Sequence, residues 1–248
     1  METFDIVVLA AGHGKRMQSE LPKVLVPFNG KPLISHLLGA ISSSGFDKTP
    51  VIVVGQKAEL VKESLGDSYR YALQAEQLGT GHAVLSAKDM TEREAQNIMV
   101  LYGDQPSVTG EMISNLAKAH TESGALLTMA TVILEDFNEW RSGFYHFGRI
   151  IRNTDGSIDK IVEFKDATEE EKESLEVNPA YFCFNSAWLW EHLEKLKNNN
   201  NQGEYYLTDL VHMVREEGRE IATIAIAPKM ALGVNTKEQL ELLETITE

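Results

Sequence analysis

The run Leu9-Ala10-Ala11-Gly12-His13-Gly14-Lys15-Arg16-Met17, followed by Leu21-Pro22-Lys23-Val24-Leu25, joins backbone freedom to positive charge where an apolar segment stops. Glycine lets backbone N–H groups come close to a ligand. Ligands of open α/β sheets bind beyond the carboxyl ends of the strands, so this stretch reads as a phosphate-handling loop. From Gly12 to Lys31 the cations Lys15, Arg16, Lys23 and Lys31 meet the single acid Glu20. Two well-known phosphate loops fail here. Met17 stands where the dinucleotide fingerprint needs its third glycine, and also where a P-loop needs its second. The glycines alone fit a tight strand-to-helix turn equally well; Arg16 and Lys23, which a turn does not need, favour phosphate.

The elements that would carry such a loop alternate. Phe4 to Ala11 reads as a strand buried on both faces. Pro32 opens a helix toward Ser44 with Leu33, Leu37, Leu38 and Ile41 on one stripe. Pro50–Val54 and Tyr69–Leu73 are predicted strands, with a helix over Lys57–Leu65 between them. Gln74 to Ala83 is a second glycine-bearing loop entering a helix, and Asn97–Tyr102 is a strand ending at Gly103-Asp104-Gln105-Pro106. Strand–helix alternation of this kind predicts an α/β, Rossmann-like, doubly wound, mostly parallel sheet. Further on the pattern is β-rich: a strand over Ala125–Ile133, a hairpin over Arg149–Glu163 turning at Asp155-Gly156, and a strand at Ala180–Phe184. Helices over Ser186–Leu196 and Tyr206–Glu216, a strand at Ile221–Ile226 and a helix over Thr236–Thr245 follow, with Asn198–Gln202 as an exposed loop. The reading is one domain over residues 1–248 with a β-rich insertion: about 1–110 for the first ligand, 111–235 for a second, and 236–248 as a closing helix.

Composition narrows the partners. The 248 residues carry a net charge of −14, the opposite of a general nucleic-acid or anionic-membrane binder, so neither is expected as a partner. A cationic pocket in an acidic chain suits a small anionic substrate instead. Cys183 is the only cysteine, which rules out an intrachain disulfide or a Cys-rich metal site. No apolar run approaches the ~20 residues of a bilayer span, and Glu2 and Asp5 stand where a signal peptide would carry cations; a cytoplasmic location is the expectation.

Taken together, the motifs resemble a known family. Leu9-Ala-Ala-Gly12-x-Gly14-x-Arg16-Met17 with Pro22-Lys23 is similar to the signature of sugar-phosphate nucleotidyltransferases. Gln74-Ala-Glu-Gln-Leu-Gly-Thr-Gly-His-Ala83, Leu101-Tyr-Gly-Asp104, Gly148-Arg-Ile150, Ile161-Val-Glu163-x-Lys165-Asp-Ala-Thr168, Asn199 to Asp209 and Gly233-Val-Asn235 resemble the pyrophosphorylase half of bacterial N-acetylglucosamine-1-phosphate uridyltransferases. The resemblance runs from Val7 to about Leu240 and implies the nucleotide-diphospho-sugar transferase fold. It implies UTP and a hexosamine 1-phosphate as substrates, a UDP-sugar and pyrophosphate as products, and Mg²⁺ as cofactor. Leu9, Ala10, Ala11, Gly12 and Gly14 would line the nucleotide. Arg16 would grip pyrophosphate, and Lys23 would stabilise charge at the α-phosphate. Gln74, Gly79 and Thr80 would read uracil, an amide offering both donor and acceptor. Asp104 and Asn235 would hold the metal, and Gly148, Glu163, Asn178 and Thr208 the sugar, with Tyr206 nearby.

Each residue also has a plainer reading. Asp104 suits a turn carboxylate, Asn235 a cap on the helix at Thr236, Thr80 an N-cap, Glu163 a solvated edge residue and His82 a structural helix histidine. The chain departs from the pattern at Glu176-Val177-Asn178-Pro179-Ala180, where Thr-Gly usually follows the asparagine. It departs again at Trp140–Phe147, which is longer than usual and ends in Phe147 where a tyrosine is usual, and at Lys15, which adds a cation. The first two fall on the sugar side, so nucleotidyl transfer is the firmer expectation. A related transferase with another nucleotide or phosphorylated alcohol is the alternative, and a non-catalytic nucleotide-sugar sensor the more distant one. No hexapeptide repeat is present, so acetyl transfer is not expected of these residues, and the oligomeric state is open.

Overall fold

In the computed structural model of the chain, residues 3–12, 14–17 and 19–247 are described; the side chains of Lys15 and Thr247 fall outside that description, and with the former the extra cation expected at Lys15. The first half runs β1 (Phe4–Leu9), β2 (Pro27–Phe28), β3 (Lys31–Pro32), α1 (Leu33–Ser43), β4 (Val51–Val54), α2 (Ala58–Leu65), β5 (Arg70–Leu73), α3 (Thr80–Ser86), β6 (Asn97–Tyr102) and α4 (Gly110–Ser123). The second half adds β7 (Leu127–Ile133), β8 (Arg149–Arg152), β9 (Ile158–Val162), α5 (Glu169–Lys172), β10 (Glu176–Val177), β11 (Phe182–Asn185), α6 (Ser186–Leu193), α7 (Asp209–Glu216), β12 (Ala222–Ala225) and α8 (Lys237–Thr247).

One sheet in the order β5-β4-β1-β6-β11-β7-β10-β8-β9 forms the middle layer, with β12 beside β7. Strands β5, β4, β1 and β6 run parallel, and β11 enters antiparallel between β6 and β7. The β8–β9 hairpin and β10 extend the sheet antiparallel. This is the doubly wound mixed sheet with a β-rich insertion. Alternation along β1 shows why the strand must be central: Ile6 and Val8 pack with α1 and α4 residues such as Leu37 and Ile113. Val7 and Leu9 pack on the other face with Val84, Leu189 and Leu210. A strand buried on both faces has no polar side to offer water.

Four differences from the predicted elements have physical causes. Helix α4 was not predicted, although its signals are present: the Thr109 side chain accepts from Met112 N, Gly124 closes the helix in the left-handed region, and Met112, Ile113, Leu116 and Ala117 are buried. Strand β1 stops at Leu9 instead of Ala11, the last sheet-like bond being Ala10 N to Val53 O at 2.9 Å. Strand β11 starts at Phe182 instead of Ala180 because Ala180 has φ +66°, outside any strand. Helix α7 starts at Asp209 instead of Tyr206, which leaves Thr208 ahead of the helix and facing the cleft. Among the described residues no helix is long and apolar enough to cross a membrane.

Asp5 pins the base of this frame. Its carboxylate, 1% exposed, pairs with both terminal nitrogens of Arg70 at 2.7 and 2.8 Å. It also accepts from Ile6 N and Glu92 N at 2.8 and 2.9 Å, tying β1 to the edge strand β5 and to the turn before β6. The Arg70 guanidinium is held above its ordinary value, first by its hydrogen bond with Asp5. Asp5→Ala leaves a cation and two backbone donors short of partners, and the expected loss is about 3 kcal/mol. Urea unfolding measures it, and a loss under about 1 kcal/mol would show that the pair carries little of the frame.

Candidate active site

A cleft of about 400 Å³ opens at the carboxyl ends of β1 and β6 and reaches across to the β8–β9 hairpin. Its floor is a three-way contact. The Lys23 ammonium bonds Asp104 Oδ2 and also donates to Asn235 Oδ1 at 2.9 Å. The lysine and aspartate side chains are 13% and 15% exposed, so the pair is shielded without being sealed.

Each partner is delivered by a different device. Lys23 follows Pro22 and opens the short turn Lys23–Leu25, whose Val24 and Leu25 are buried. Gly14 underlies it: φ is +59°, and a Cβ there would stand 2.7 Å from Lys23 Cβ, so the left-handed bend and the close approach both demand glycine. Asp104 follows Gly103, the residue after β6, and its carbonyl accepts from Val234 N at 2.9 Å, which brings Asn235 opposite it. Helix α8 is capped without Asn235's side chain. Thr236 Oγ1 accepts from Gln239 N at 3.3 Å, and Gln239 Oε1 accepts from Asn235 N at 2.7 Å. The asparagine amide is thereby released into the cleft, and the plain capping reading does not apply. Nor does Asp104 act as a turn cap; its carboxylate faces Lys23.

Leu9, Ala10, Ala11 and Gly12 form the adjoining wall. Gln77, which the sequence reading passed over as a site residue, donates its amide to Ala11 O and lines the cleft; its place in the Gln74–Ala83 run was the available signal. Gln74 is buried with its amide nitrogen on Gly79 O at 3.0 Å and His82 Nδ1 at 3.2 Å, so its oxygen is the end not engaged there. His82 is accordingly a structural partner. Gly79, φ +108°, is required because a Cβ would meet the Tyr205 carbonyl at 2.6 Å. Thr80 does not cap α3; its oxygen accepts from Leu207 N at 3.0 Å, joining this wall to the opposite one.

On that opposite wall Thr208 Oγ1 donates to Glu163 Oε1 at 2.9 Å. Asn178 N donates to Gly148 O at 2.9 Å, and a Cβ on Gly148 would lie 3.6 Å from Glu163 Oε2. Gly148, Glu163, Asn178 and Thr208 therefore converge. Arg149 fixes the approach to Gly148. It is fully buried and donates to Phe147 O, Tyr145 O and Lys172 O at 2.6, 2.8 and 3.1 Å. The Phe137 ring faces its guanidinium at 4.6 Å; burial lowers its pKa from the ordinary value. Tyr206 points to a second, 260 Å³ cavity behind Glu163 and bonds Gln202 and Asp166 at 2.8 and 3.2 Å. Burial, before other causes, pushes its phenol up to about 12. Ala180 occupies the left-handed region usual for glycine, at about 1–2 kcal/mol for an L-residue. Arg16 is not brought to the others: it stands exposed on the 15–17 turn, outside the cleft wall.

No cluster of three or more His, Cys, Asp or Glu suited to a metal occurs among the described residues. The Asp104–Asn235 pair nevertheless fits a hard cation. One carboxylate and one amide oxygen already converge on a positive group, and Mg²⁺ bound with phosphates and waters needs few protein oxygens.

A mixed sheet with a glycine loop at its β1 end, a cation-bridged aspartate after β6 and a polar wall on an inserted hairpin defines a nucleotidyltransferase. The chain matches the MobA-like NTP transferase domain over residues 6–215 and belongs to that family. It is 41% identical over 241 residues to the bifunctional protein GlmU of Acetivibrio thermocellus, covering 97% of this chain and 50% of that one. Against GlmU of Geobacillus thermodenitrificans the identity is 42% over 242 residues, covering 97% and 51%. The chain thus spans about half the length of the curated relatives it matches. A solved CMP:2-keto-3-deoxy-manno-octonic acid synthetase complexed with CTP shares the fold, with a TM-score of 0.69 at 16% identity over 99% of this chain and 98% of that one.

Glu163 lines both cavities. Burial raises its carboxyl above the ordinary value, with Asp209, Asp166 and Glu204 adding to the rise and the Thr208 bond opposing it. A carboxyl raised on folding contributes stability while protonated and loses it as pH climbs through the folded value. Glu163→Gln keeps the acceptor for Thr208 without the charge. Its melting temperature relative to the parent should therefore increase as pH climbs above the ordinary carboxylate range and level off once the folded carboxyl has ionised, and a difference that stays flat would place Glu163 in a solvated setting.

Proposed function

We propose that the chain transfers UMP from UTP to N-acetylglucosamine 1-phosphate, yielding UDP-N-acetylglucosamine and pyrophosphate. The observation that carries this reading is the Lys23 ammonium held between Asp104 and Asn235 at the base of a glycine-walled cleft. The likeness to GlmU over nearly the whole chain supports the choice of substrates. Within the single domain, residues 1–110 would serve the nucleotide, 111–235 the sugar, and 236–248 would close the fold.

In this reading a phosphate oxygen of the sugar 1-phosphate attacks the α-phosphorus of UTP. The bond to the β-phosphate oxygen breaks, and pyrophosphate leaves with the electron pair. The protein's contribution is positioning and charge neutralisation. Backbone N–H groups at Ala11, Gly12 and Gly14 approach the phosphates, as a glycine-rich turn allows. The Gln74 oxygen accepts from the uracil N–H. Glu163 and Asn178 hold sugar hydroxyls beside the open face left by Gly148. Arg16, on its exposed turn, meets the departing pyrophosphate from the rim. Mg²⁺, held by Asp104 and Asn235, would supply neutralisation of phosphate charge. Lys23 then turns its ammonium from these two oxygens to the α-phosphate, where negative charge accumulates.

The direct test is pyrophosphate release with UTP, dTTP or CTP against a panel of sugar 1-phosphates. UTP with N-acetylglucosamine 1-phosphate should be fastest; background rates throughout would sink the assignment, and tight UDP-sugar binding without turnover would favour a sensor. Lys23→Met should lower kcat by about 10²- to 10³-fold with a much smaller change in the sugar-phosphate KM. The same substitution removes the cation that competes for Asp104 and Asn235. Calorimetric titration of Mn²⁺ without nucleotide should therefore show tighter binding than in the parent, and unchanged or weaker binding would remove that pair from the metal's coordination.

A further inference from the structure

Gln105 is absent from the motifs that carry the family resemblance, yet it joins three parts of the cleft. It follows Asp104 directly, is 5% exposed, and lines the cleft. Its amide nitrogen donates to Pro179 O at 2.7 Å, in the middle of the Asn178-Pro179-Ala180 turn. Its Cγ lies 3.4 Å from where a Cβ on Gly233 would stand, on the segment that delivers Asn235. The proline carbonyl is an acceptor, so the amide cannot be flipped, and Gln105 Oε1 is left as a buried acceptor with no partner among the described residues.

Two facts about the turn give this contact a purpose. Ala180 is held in the left-handed region, and the Asn178 side chain is spent on its own turn, Oδ1 accepting from Ala180 N at 2.9 Å. The backbone at 178–180 is thus under strain at the place where an asparagine must be aimed at the sugar. An orphaned acceptor is a poor way to gain stability, because an apolar side chain of equal reach would avoid it. The single strong bond to Pro179 is what the amide provides.

We infer that Gln105 is a positioning residue for the sugar phosphate: its amide clamps the strained Asn178–Ala180 turn to the Asp104 turn and so fixes Asn178 relative to the reacting phosphates. The inference rests on the uridylyltransferase reading of the cleft. It assigns the departure at Pro179-Ala180 a compensating partner on the nucleotide side. A turn that lacks the usual glycine is braced from outside by a side chain reaching across the cleft.

The test uses the full chain with two substitutions. Gln105→Met keeps the reach and loses the donor. Gln105→Leu also loses the donor while filling the space with a second apolar side chain. Steady-state kinetics at a single pH are read beside thermal melting. For Gln105→Met the KM for the sugar phosphate should rise about tenfold, as loss of one hydrogen bond allows, with the UTP KM within about twofold and the melting temperature within a few degrees. Gln105→Leu should show the same split between the two KM values. A merely structural residue would shift both KM values together; that result overturns the inference, as does an unchanged sugar KM. Parent turnover is the control that separates the two ideas. If the parent is inactive with every substrate, the uridylyltransferase reading has failed. Calorimetry of UDP-N-acetylglucosamine and UTP binding then decides the clamp alone: selective weakening of the UDP-sugar supports it, and equal or no weakening overturns it. If Gln105→Met does not fold, Gln105→Leu carries the same test.

Discussion

The cleft depends on one charge held in place. Lys23, Asp104 and Asn235 are separated by 81 and 212 residues in sequence, and each is brought to the others by a different element. A shielded carboxylate and an amide oxygen facing one another would repel without a cation between them. The ammonium satisfies both and preserves their spacing. That arrangement explains several local choices at once: glycine at 14 under the lysine, the buried Val24 and Leu25 that seat its turn, and a capping scheme at α8 that spares the Asn235 side chain.

Around that floor, the two walls are joined across the cleft at Thr80, and the far wall is tied to itself. Thr80 holds Leu207, Thr208 holds Glu163, and Gly148 holds Asn178. Neither the parallel half nor the inserted hairpin completes the cleft alone. The buried guanidinium of Arg149, satisfied by carbonyls and aromatic faces instead of by an acid, extends the same economy to the insertion: it fixes the loop before Gly148 while adding no carboxylate to the cleft.

Much of this was legible in the residues. The strand–glycine–cation sequence located one wall and the lysine of the cleft, and the β6 end located Asp104, because period and turn chemistry are local properties. Most of the expected set, Leu9 to Gly12, Lys23, Gln74, Gly79, Thr80, Asp104, Gly148, Glu163, Asn178, Thr208 and Asn235, lines the one cleft. What escaped depended on non-local contacts. The left-handed turn at Ala180 is set by its neighbours' bonds, so an alanine there looked like the start of a strand. Gln77 and Gln105 act through carbonyls far away in sequence, and no spacing rule exposes that. Helix α4 is the exception, since Thr109, Gly124 and the stripe between them were signals in plain view. The exposed position of Arg16 also depends on how its turn sits, which residue type does not determine.

The delivery of Asn235 by the segment after β12 has a consequence for how the molecule comes into being. Strands β1, β4 and β6 can align as soon as they have left the ribosome, but the oxygen opposite Asp104 arrives only with the segment that follows β12. Closing so long a loop is among the slowest events in a fold of this size. A nascent or misfolded chain therefore has the glycine loop and the lysine without a finished grip. In such a chain the ammonium has Asp104 but not the second oxygen that fixes the pair's spacing, so the floor of the cleft is set only when the segment carrying Asn235 has docked.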